Sequence, residues 1–250
     1  MKIVAIIQAR MASSRLPKKI LTDICGKPML WHIVERVKQS SLINNVVIAT
    51  SDEKEDDEVE IFANQYSIPY YRGSQLNVLD RFWKCANQYS TDIVVRLTGD
   101  NALIDSEIID EALNVFIGQE KIDYLYYCEG LPIGMAVEIM KFSALTRAHD
   151  EASDMECLEH VTPYLYKNSD EFVSLRVKSK EDDHSELRWT MDTVEDKKLI
   201  LSIYEVLYDK NRIFHYKDIL MAYKKHPEWA MINNEIMQKK VEYRGEKDEV

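Results

Sequence analysis

The chain opens on a short continuous run of apolar, mostly β-branched residues, Ile3 to Ile7. A run of this kind without polar alternation is typical of a strand buried on both faces, as in a parallel sheet. An amphipathic helix follows at GKPMLWHIVERVKQS, where Pro28 suits the first helical position and apolar residues recur at helical spacing. A second apolar strand, Val46 to Ala49, completes a β-loop-α-β unit with an unusually long first loop. This unit restricts the chain to an α/β architecture.

The alternation of strands and helices continues to residue 123 and then becomes less regular. Helices are predicted over 58–66 and 78–89, and strands over 69–71 and 92–97. The later segments favour a mixed sheet, with strands predicted over 124–127, 136–140, 173–177 and 187–191, and helices over 143–151, 155–167, 194–208 and 216–225. Since no linker or internal repeat divides the chain, we predict a single domain over 1–237 and a charged tail over 238–250.

Charge and cysteine spacing exclude several classes of function. The 250 residues contain 43 Asp and Glu against 32 Lys and Arg, a net charge of -11, which argues against nucleic-acid binding because such binding needs a basic face. The four cysteines form no CxxC pair, so neither a zinc site nor a disulfide framework is predicted. No window approaches the roughly 20 apolar residues of a membrane span, and the initial apolar run is too short for a signal peptide. We expect a cytoplasmic protein without a membrane partner.

The loop after the first strand carries four cations and no carboxylate, although the chain is acidic. It reads QARMASSRLPKK, with the cations Arg10, Arg15, Lys18 and Lys19 and with no glycine before Gly26. It therefore matches neither the dinucleotide fingerprint nor the Walker loop. Arginine and lysine side chains can instead hold a polyphosphate directly. Because ligands of open α/β sheets bind at the carboxyl ends of strands, we favour a polyphosphate site over a merely solvated loop.

Two aspartates that follow other predicted strands are candidate magnesium ligands. Asp100, in RLTGDN, lies past a buried strand, and Gly99 permits a close backbone approach, although Gly-Asp is also a common turn. Asp192, in RWTMDTVED, precedes a helix, where it or Thr193 also suits the N-cap and Thr193 to Asp196 resembles a capping box. Magnesium prefers one or two carboxylates together with substrate phosphates. The two aspartates and the cationic loop together predict a metal and triphosphate site.

These motifs together resemble those of a known enzyme family. IIQARMASSRLPKKILTDICGKPML is similar to the amino-terminal signature of the CMP-sugar synthetases, which include the 3-deoxy-manno-octulosonate and acylneuraminate cytidylyltransferases. NVLDRFWKCA, VVRLTGDNALID, EHVTPYLY and LRWTMDTVED resemble, in the same order, motifs of the branch named for spore coat polysaccharide biosynthesis protein F. The resemblance spans residues 1–208. It implies a Rossmann-like nucleotidyltransferase (GT-A-like) three-layer α/β fold, with a mainly parallel central sheet and an antiparallel extension, and a homodimer.

The resemblance also implies an activity and a set of site residues. The activity is transfer of CMP from CTP to an acceptor oxygen of a sugar acid, or of a phosphorylated or phosphonate polyol, with release of pyrophosphate, for surface glycan biosynthesis. Arg10 and Lys19 would bind the triphosphate, and Asp100 and Asp192 would hold Mg2+. Other nucleotide contacts are expected from Ala9, Ser13, Arg15, Thr50, Arg72 and Asn77. Acceptor contacts are expected from Glu138, His160 and Arg188, although a lone histidine such as His160 is also commonly a paired structural residue.

One segment departs from the pattern of this branch. Where the branch usually reads Pro-Asp-Gly-Leu-Asp-Val-Glu, this chain reads PIGMAVE, so that Ile133 and Ala136 replace two aspartates. The loss of two carboxylates near the expected acceptor favours a more anionic acceptor, because like-charge repulsion is removed.

Two alternatives to a cytidylyltransferase stay open, a non-catalytic nucleotide-binding regulator and a nucleotidyltransferase that uses another nucleotide.

Overall fold

The computed structural model describes residues 1–13 and 15–237, which form one large sheet and a small hairpin. The hairpin consists of β2 (Asp23–Ile24) and β3 (Lys27–Pro28). The strands of the large sheet are β1 (Ile3–Gln8), β4 (Asn45–Ser51), β5 (Tyr70–Gly73), β6 (Ile93–Thr98), β7 (Tyr124–Glu129), β8 (Val137–Lys141) and β9 (Ser174–Lys178). The helices are α1 (Met29–Val37), α2 (Asp57–Gln65), α3 (Val78–Gln88), α4 (Ser106–Ile117), α5 (Phe142–Glu151), α6 (Met155–His160), α7 (Pro163–Lys167), α8 (Val194–Leu207) and α9 (Tyr216–Lys225).

The seven strands lie in the order β5-β4-β1-β6-β8-β7-β9. The pairs β5-β4, β4-β1, β1-β6 and β7-β9 are parallel, whereas β8 runs antiparallel to both of its neighbours. The predicted α/β fold, with a mainly parallel central sheet and an antiparallel extension, is therefore confirmed. The carboxyl ends of β1, β4 and β6 meet at one edge, which is where the predicted site lies.

Each face of the sheet is covered by its own hydrophobic core, which explains why β1 is apolar without alternation. Ile7 packs on one face with residues of α1, α2, α4 and α8, whereas Ile6 packs on the other with residues of α3, α5 and α7. Both side chains are fully buried. A strand covered on both faces needs apolar residues at every position. The three-layer fold that the resemblance implies is confirmed, since helices cover both faces of the sheet.

The structure differs from the sequence prediction in three local respects. Helix α4 has no counterpart among the predicted elements, although Asp105 caps it. The helix predicted over 155–167 is divided into α6 and α7, because Val161 has a φ of 72° and ends α6. The segment 187–191 is not a strand of the sheet, since its pairing is an isolated bridge between Ile133 and Arg188.

Two further predictions are the charged tail and the single domain. The charged tail predicted over 238–250 lies outside the described residues. The prediction of a single domain over 1–237 stays a prediction. No helix within residues 1–13 and 15–237 is both long enough and apolar enough to span a bilayer.

Candidate active site

The loop after β1 is anchored at its start to the end of β4. The Ala9 amide donates to the Ala49 carbonyl at 3.1 Å, which continues the pairing of β1 with β4. The buried Asp56 then accepts the Met11 amide at 2.6 Å through its carboxylate. Arg10 lies between these two anchors and is exposed. The backbone of the loop is thus fixed where the predicted triphosphate site begins. No sequence motif indicates that Asp56 anchors this loop.

Lys19 lies between the two predicted metal ligands. Its Nζ atom is 3.0 Å from Asp100 Oδ2 and 2.6 Å from Asp192 Oδ1, and 13% of its side chain is exposed. Because both oxygens contact the same nitrogen, they are no more than about 6 Å apart, which is within reach of shared cation binding through ordered water. The structure therefore brings together the three residues that the strand ends predicted to converge. Their roles toward a ligand stay predictions.

Backbone contacts explain why Asp100 and Asp192 converge although they are far apart in the sequence. The Met191 amide donates to the Asp100 carbonyl at 2.9 Å, which joins the two loops that carry the aspartates. The Gly99 amide donates to the Gln8 carbonyl at 2.8 Å, and a Cβ atom at position 99 would lie only 2.9 Å from that oxygen. Glycine is therefore needed for the close approach to β1. Thr98 orients the Asp100 side chain, since its Oγ1 bonds Oδ1 at 2.6 Å.

Three cations contact Asp192 and determine its charge state. In addition to Lys19, Arg15 Nη2 lies 2.8 Å and Arg188 Nη2 lies 3.5 Å from Asp192 Oδ2. Burial alone would raise the pKa of Asp192, but the three cations outweigh burial and lower it. Burial also opposes the charged form of Lys19, yet Asp100 and Asp192 outweigh it and raise the pKa of Lys19. At neutral pH the centre of the site is therefore an ammonium bound by carboxylates.

A buried hydrogen-bond network behind Asp192 holds it in place. Asp196 is fully buried, and its two oxygens accept Arg188 Nε at 2.9 Å and Arg188 Nη2 at 3.0 Å. Asp196 Oδ2 also accepts the amides of Asp192 and Thr193, within the capping box that the sequence suggests for α8. Asn233 Nδ2 donates to Asp196 Oδ1 at 2.8 Å and to the Arg188 carbonyl at 2.9 Å. The network therefore connects the backbone on both sides of Asp192.

Arg188 illustrates a side chain whose surroundings the sequence does not indicate. It is predicted to contact the acceptor, whereas in the structure it is 5% exposed and bonded to Asp196. Its acceptor contact stays a prediction. No sequence motif marks Asn233 or the pairing of Arg188 with Asp196, because these contacts join segments that meet only in the folded chain.

Two of the three expected acceptor residues, Glu138 and His160, lie in or near the antiparallel strand β8. Glu138 is 7% exposed, and its carboxylate accepts Tyr124 OH at 2.6 Å and Thr162 Oγ1 at 2.7 Å and pairs with Arg96. His160 is exposed at the last position of α6, two residues before Thr162. The structure thus places these two residues near the same short segment. Their contacts with an acceptor stay predictions.

The remaining predicted nucleotide residues lie along the ends of β4 and β5. Thr50 is buried in β4, opposite Arg72 of β5. The Arg72 guanidinium pairs with Asp57 at 2.7 Å and with Glu60 at 2.5 Å. It also donates to two carbonyls, one at the last residue of β4 and one in the segment that follows. Asn77 is the N-cap of α3. In the structure Arg72 therefore stabilises the connection between β4 and α2, and nucleotide contacts from these residues stay predictions.

Ser13 has a local role in the loop after β1. Its Oγ accepts the Leu16 amide at 3.4 Å, so the hydroxyl helps to shape the turn between Arg10 and Lys19. Its contact with a nucleotide stays a prediction.

The donor set around Lys19 suits a magnesium ion. Two carboxyl groups converge on one cation, and Mg2+ prefers one or two carboxylates completed by phosphates and water. A second group of potential ligands, Asp105, Glu107 and His215, lies elsewhere. The Asp105 carboxylate there accepts the amides of Glu107 and Tyr216, so it joins α4 to α9. We therefore assign the predicted Mg2+ to Asp100 and Asp192, as a proposal developed below.

Comparison with known proteins identifies the family. The sequence profile of the family described as cytidylyltransferase matches residues 4–247. The chain belongs to the cytidylyltransferase family. This membership confirms the prediction of an enzyme of the nucleotidyltransferase class.

Individual relatives agree with the resemblance noted from the motifs. Spore coat polysaccharide biosynthesis protein SpsF of Bacillus subtilis is 34% identical over 209 residues, which cover 81% of this chain and 86% of that protein. The 3-deoxy-manno-octulosonate cytidylyltransferase of Geobacter metallireducens is 37% identical over 122 residues, 49% of this chain and 47% of that enzyme. A cytidylyltransferase structure from Leptospira borgpetersenii superposes with a TM-score of 0.87 at 34% identity and covers 96% of this chain and 100% of its own. The predicted membership in the CMP-sugar synthetases, in the SpsF branch, is confirmed.

Proposed function

We propose that this chain transfers CMP from CTP to an acceptor oxygen of a small anionic molecule, with release of pyrophosphate, in the biosynthesis of a surface glycan. The observation that carries the proposal is the convergence of Lys19, Asp100 and Asp192 at the strand ends of a cytidylyltransferase fold. The acceptor oxygen attacks the α-phosphorus of CTP, and the bond from that phosphorus to the β-phosphate oxygen breaks. No covalent enzyme intermediate is required.

The residues of the chain would act by positioning and by neutralising charge. Arg10 and Lys19 would bind the phosphates that leave as pyrophosphate, and Arg15 lies beside them against Asp192. Asp100 and Asp192 would hold Mg2+, which when bound supplies positive charge to the phosphate oxygens. The network of Asp196 and Arg188 would keep Asp192 in a fixed orientation toward the nucleotide.

The surroundings of Ile133 support an acceptor that carries a phosphate or phosphonate group. Ile133 forms a bridge with Arg188, and the Trp189 amide donates to the Ile133 carbonyl at 2.7 Å. The backbone of the segment that has lost two carboxylates relative to its branch therefore pairs with Arg188 and Trp189, just before Asp192 in the chain. Fewer carboxylates at this place reduce repulsion of an anionic acceptor.

The proposal is tested by pyrophosphate release with CTP, UTP, GTP and ATP, each with Mg2+ and a panel of sugar acids, polyol phosphates, phosphonates and neutral polyols. We expect release with CTP and an anionic acceptor. Asp100→Asn and Asp192→Asn are each expected to lower kcat by about 100-fold or more, a loss typical of a deleted electrostatic contact. Release with another nucleotide would support a different nucleotidyltransferase, and nucleotide binding without release would support a regulator. A preference for neutral acceptors would refute the inference from Ile133 and Ala136.

The predicted homodimer, the requirement for Mg2+ and the cytoplasmic location stay predictions. The first is tested by the molar mass in solution, and the second by dialysis against a chelator followed by titration with Mg2+. The pyrophosphate assay provides the readout for the metal.

A further inference from the structure

Lys19 holds the same two carboxylates that are assigned to the metal. Its single ammonium contacts one oxygen of Asp100 and one of Asp192, and only a small part of its side chain is exposed. A divalent ion that bridges Asp100 Oδ2 and Asp192 Oδ1 would take this position, because Lys19 already contacts these two oxygens. Two cations in contact at the same place repel each other strongly.

The other cations around Asp192 are not equally free to move away. Arg188 is fixed from behind by two bonds to Asp196 and is 4% exposed at its side chain. Lys19, in contrast, carries its charge on a flexible four-carbon stem. It also lies in the loop that is expected to bind phosphates. Arg15 is 40% exposed and contacts Asp192, whereas Lys19 contacts both Asp192 and Asp100. Lys19 is therefore the cation whose departure frees both carboxylates.

We propose that Lys19 takes the place of the metal ion when no nucleotide is bound. Its ammonium then stays between Asp100 and Asp192 until the phosphates of the nucleotide draw it away. This inference rests on the proposed function, since it assumes a nucleotide triphosphate at this site. It follows that the nucleotide-free protein binds divalent ions weakly. Binding of the nucleotide and of the metal is then coupled, because the phosphates both release the carboxylates and accept the ammonium.

The test is the affinity for Mn2+ without any nucleotide, measured by the electron paramagnetic resonance signal of free Mn2+. Lys19→Met removes the ammonium and keeps the length of the side chain. We expect this variant to bind Mn2+ at least about tenfold more tightly than the wild type, because the competing charge is gone. Lys19→Arg keeps a cation and is expected to bind Mn2+ as weakly as the wild type.

A matched control is available at the neighbouring position. Lys18→Met removes the same charge from the same loop, but Lys18 pairs with the exposed Glu58 at 2.7 Å. We expect its Mn2+ affinity to stay within about twofold of the wild type, because screening weakens exposed charges away from the site. If Lys19→Met does not fold, as judged by its thermal unfolding, Lys19→Gln provides a second neutral variant.

Unchanged or weaker Mn2+ binding by the folded neutral variants would overturn the inference, as would equal gains for Lys18→Met. The outcome is separate from that of the proposed function. If the wild type releases pyrophosphate from CTP but the neutral variants bind Mn2+ no better than the wild type, only the inference about Lys19 is refuted. Tighter Mn2+ binding by the variants, with no pyrophosphate release by the wild type, would refute only the reaction.

Discussion

Replacement of Asp196 by Asn is expected to destabilise the fold strongly, although Asp196 is not assigned to the nucleotide, the acceptor or the metal. Its carboxylate accepts two guanidinium bonds from Arg188 and two backbone amides, all at 2.9 to 3.1 Å, and neither side chain is appreciably exposed. Loss of the charge leaves Arg188 buried without its counter-ion. Removal of one partner of such a pair typically costs about 3–5 kcal/mol. An amide also places a donor against groups that donate.

The measurement is urea unfolding at neutral pH, followed by circular dichroism. Glu195→Gln is the matched control, because Glu195 is exposed in the same first turn of α8 and its loss should cost less than about 1 kcal/mol. The double variant Arg188→Met with Asp196→Asn should recover part of the loss, since no unpaired charge remains. A loss below about 1 kcal/mol for Asp196→Asn alone would contradict the assigned network.

Three further predictions concern other contacts in and around the site. Asn233→Ala removes two buried hydrogen bonds and is expected to cost about 1–3 kcal/mol in urea unfolding; an unchanged midpoint would contradict this. Gly134→Ala is expected to cost about 2 kcal/mol or more, because φ is +103° and the added Cβ would lie 2.6 Å from the Thr190 nitrogen. Gly26→Ala also has a positive φ but meets no atom within 4 Å, and should cost clearly less. Because folding lowers the pKa of Asp192, its carboxylate stabilises the protein at neutral pH and loses this contribution as the pH falls below about 4. The difference in unfolding free energy between wild type and Asp192→Asn should therefore shrink between pH 7 and pH 3. A difference that stays constant over this range would refute the stabilising role of the charged Asp192.

The meeting of Lys19 and Asp100 is predictable from sequence because it depends on topology. Each of the two follows a strand of the sheet, and the carboxyl ends of parallel strands share one edge. Asp192 reaches the same edge for another reason, since 187–191 is not a strand and the Met191 amide instead bonds the Asp100 carbonyl. The apolar run of β1 is informative for the same reason, since burial on both faces removes the polar alternation. Helix α4 is a different case, because its capping residue Asp105 and its apolar periodicity are visible in the sequence and the element is nevertheless absent from the prediction.

The partners of individual side chains are not predictable in this way. Motif similarity assigns Arg72 to the nucleotide and Arg188 to the acceptor, yet both guanidinium groups are engaged by carboxylates of the chain itself. The choice of partner depends on which segments pack together, and periodicity carries no information about that. The same holds for Asn233, which lies beyond α9 in the chain and bonds Arg188 and Asp196 on either side of Asp192.

The bond between the Met191 amide and the Asp100 carbonyl belongs to the main chain. It is therefore retained with any residue at position 191 except proline, which has no amide hydrogen to donate. An amide-to-ester exchange at that residue would remove the bond without changing the side chain. The bond therefore fixes the loop before α8 against the loop after β6 without help from any side chain.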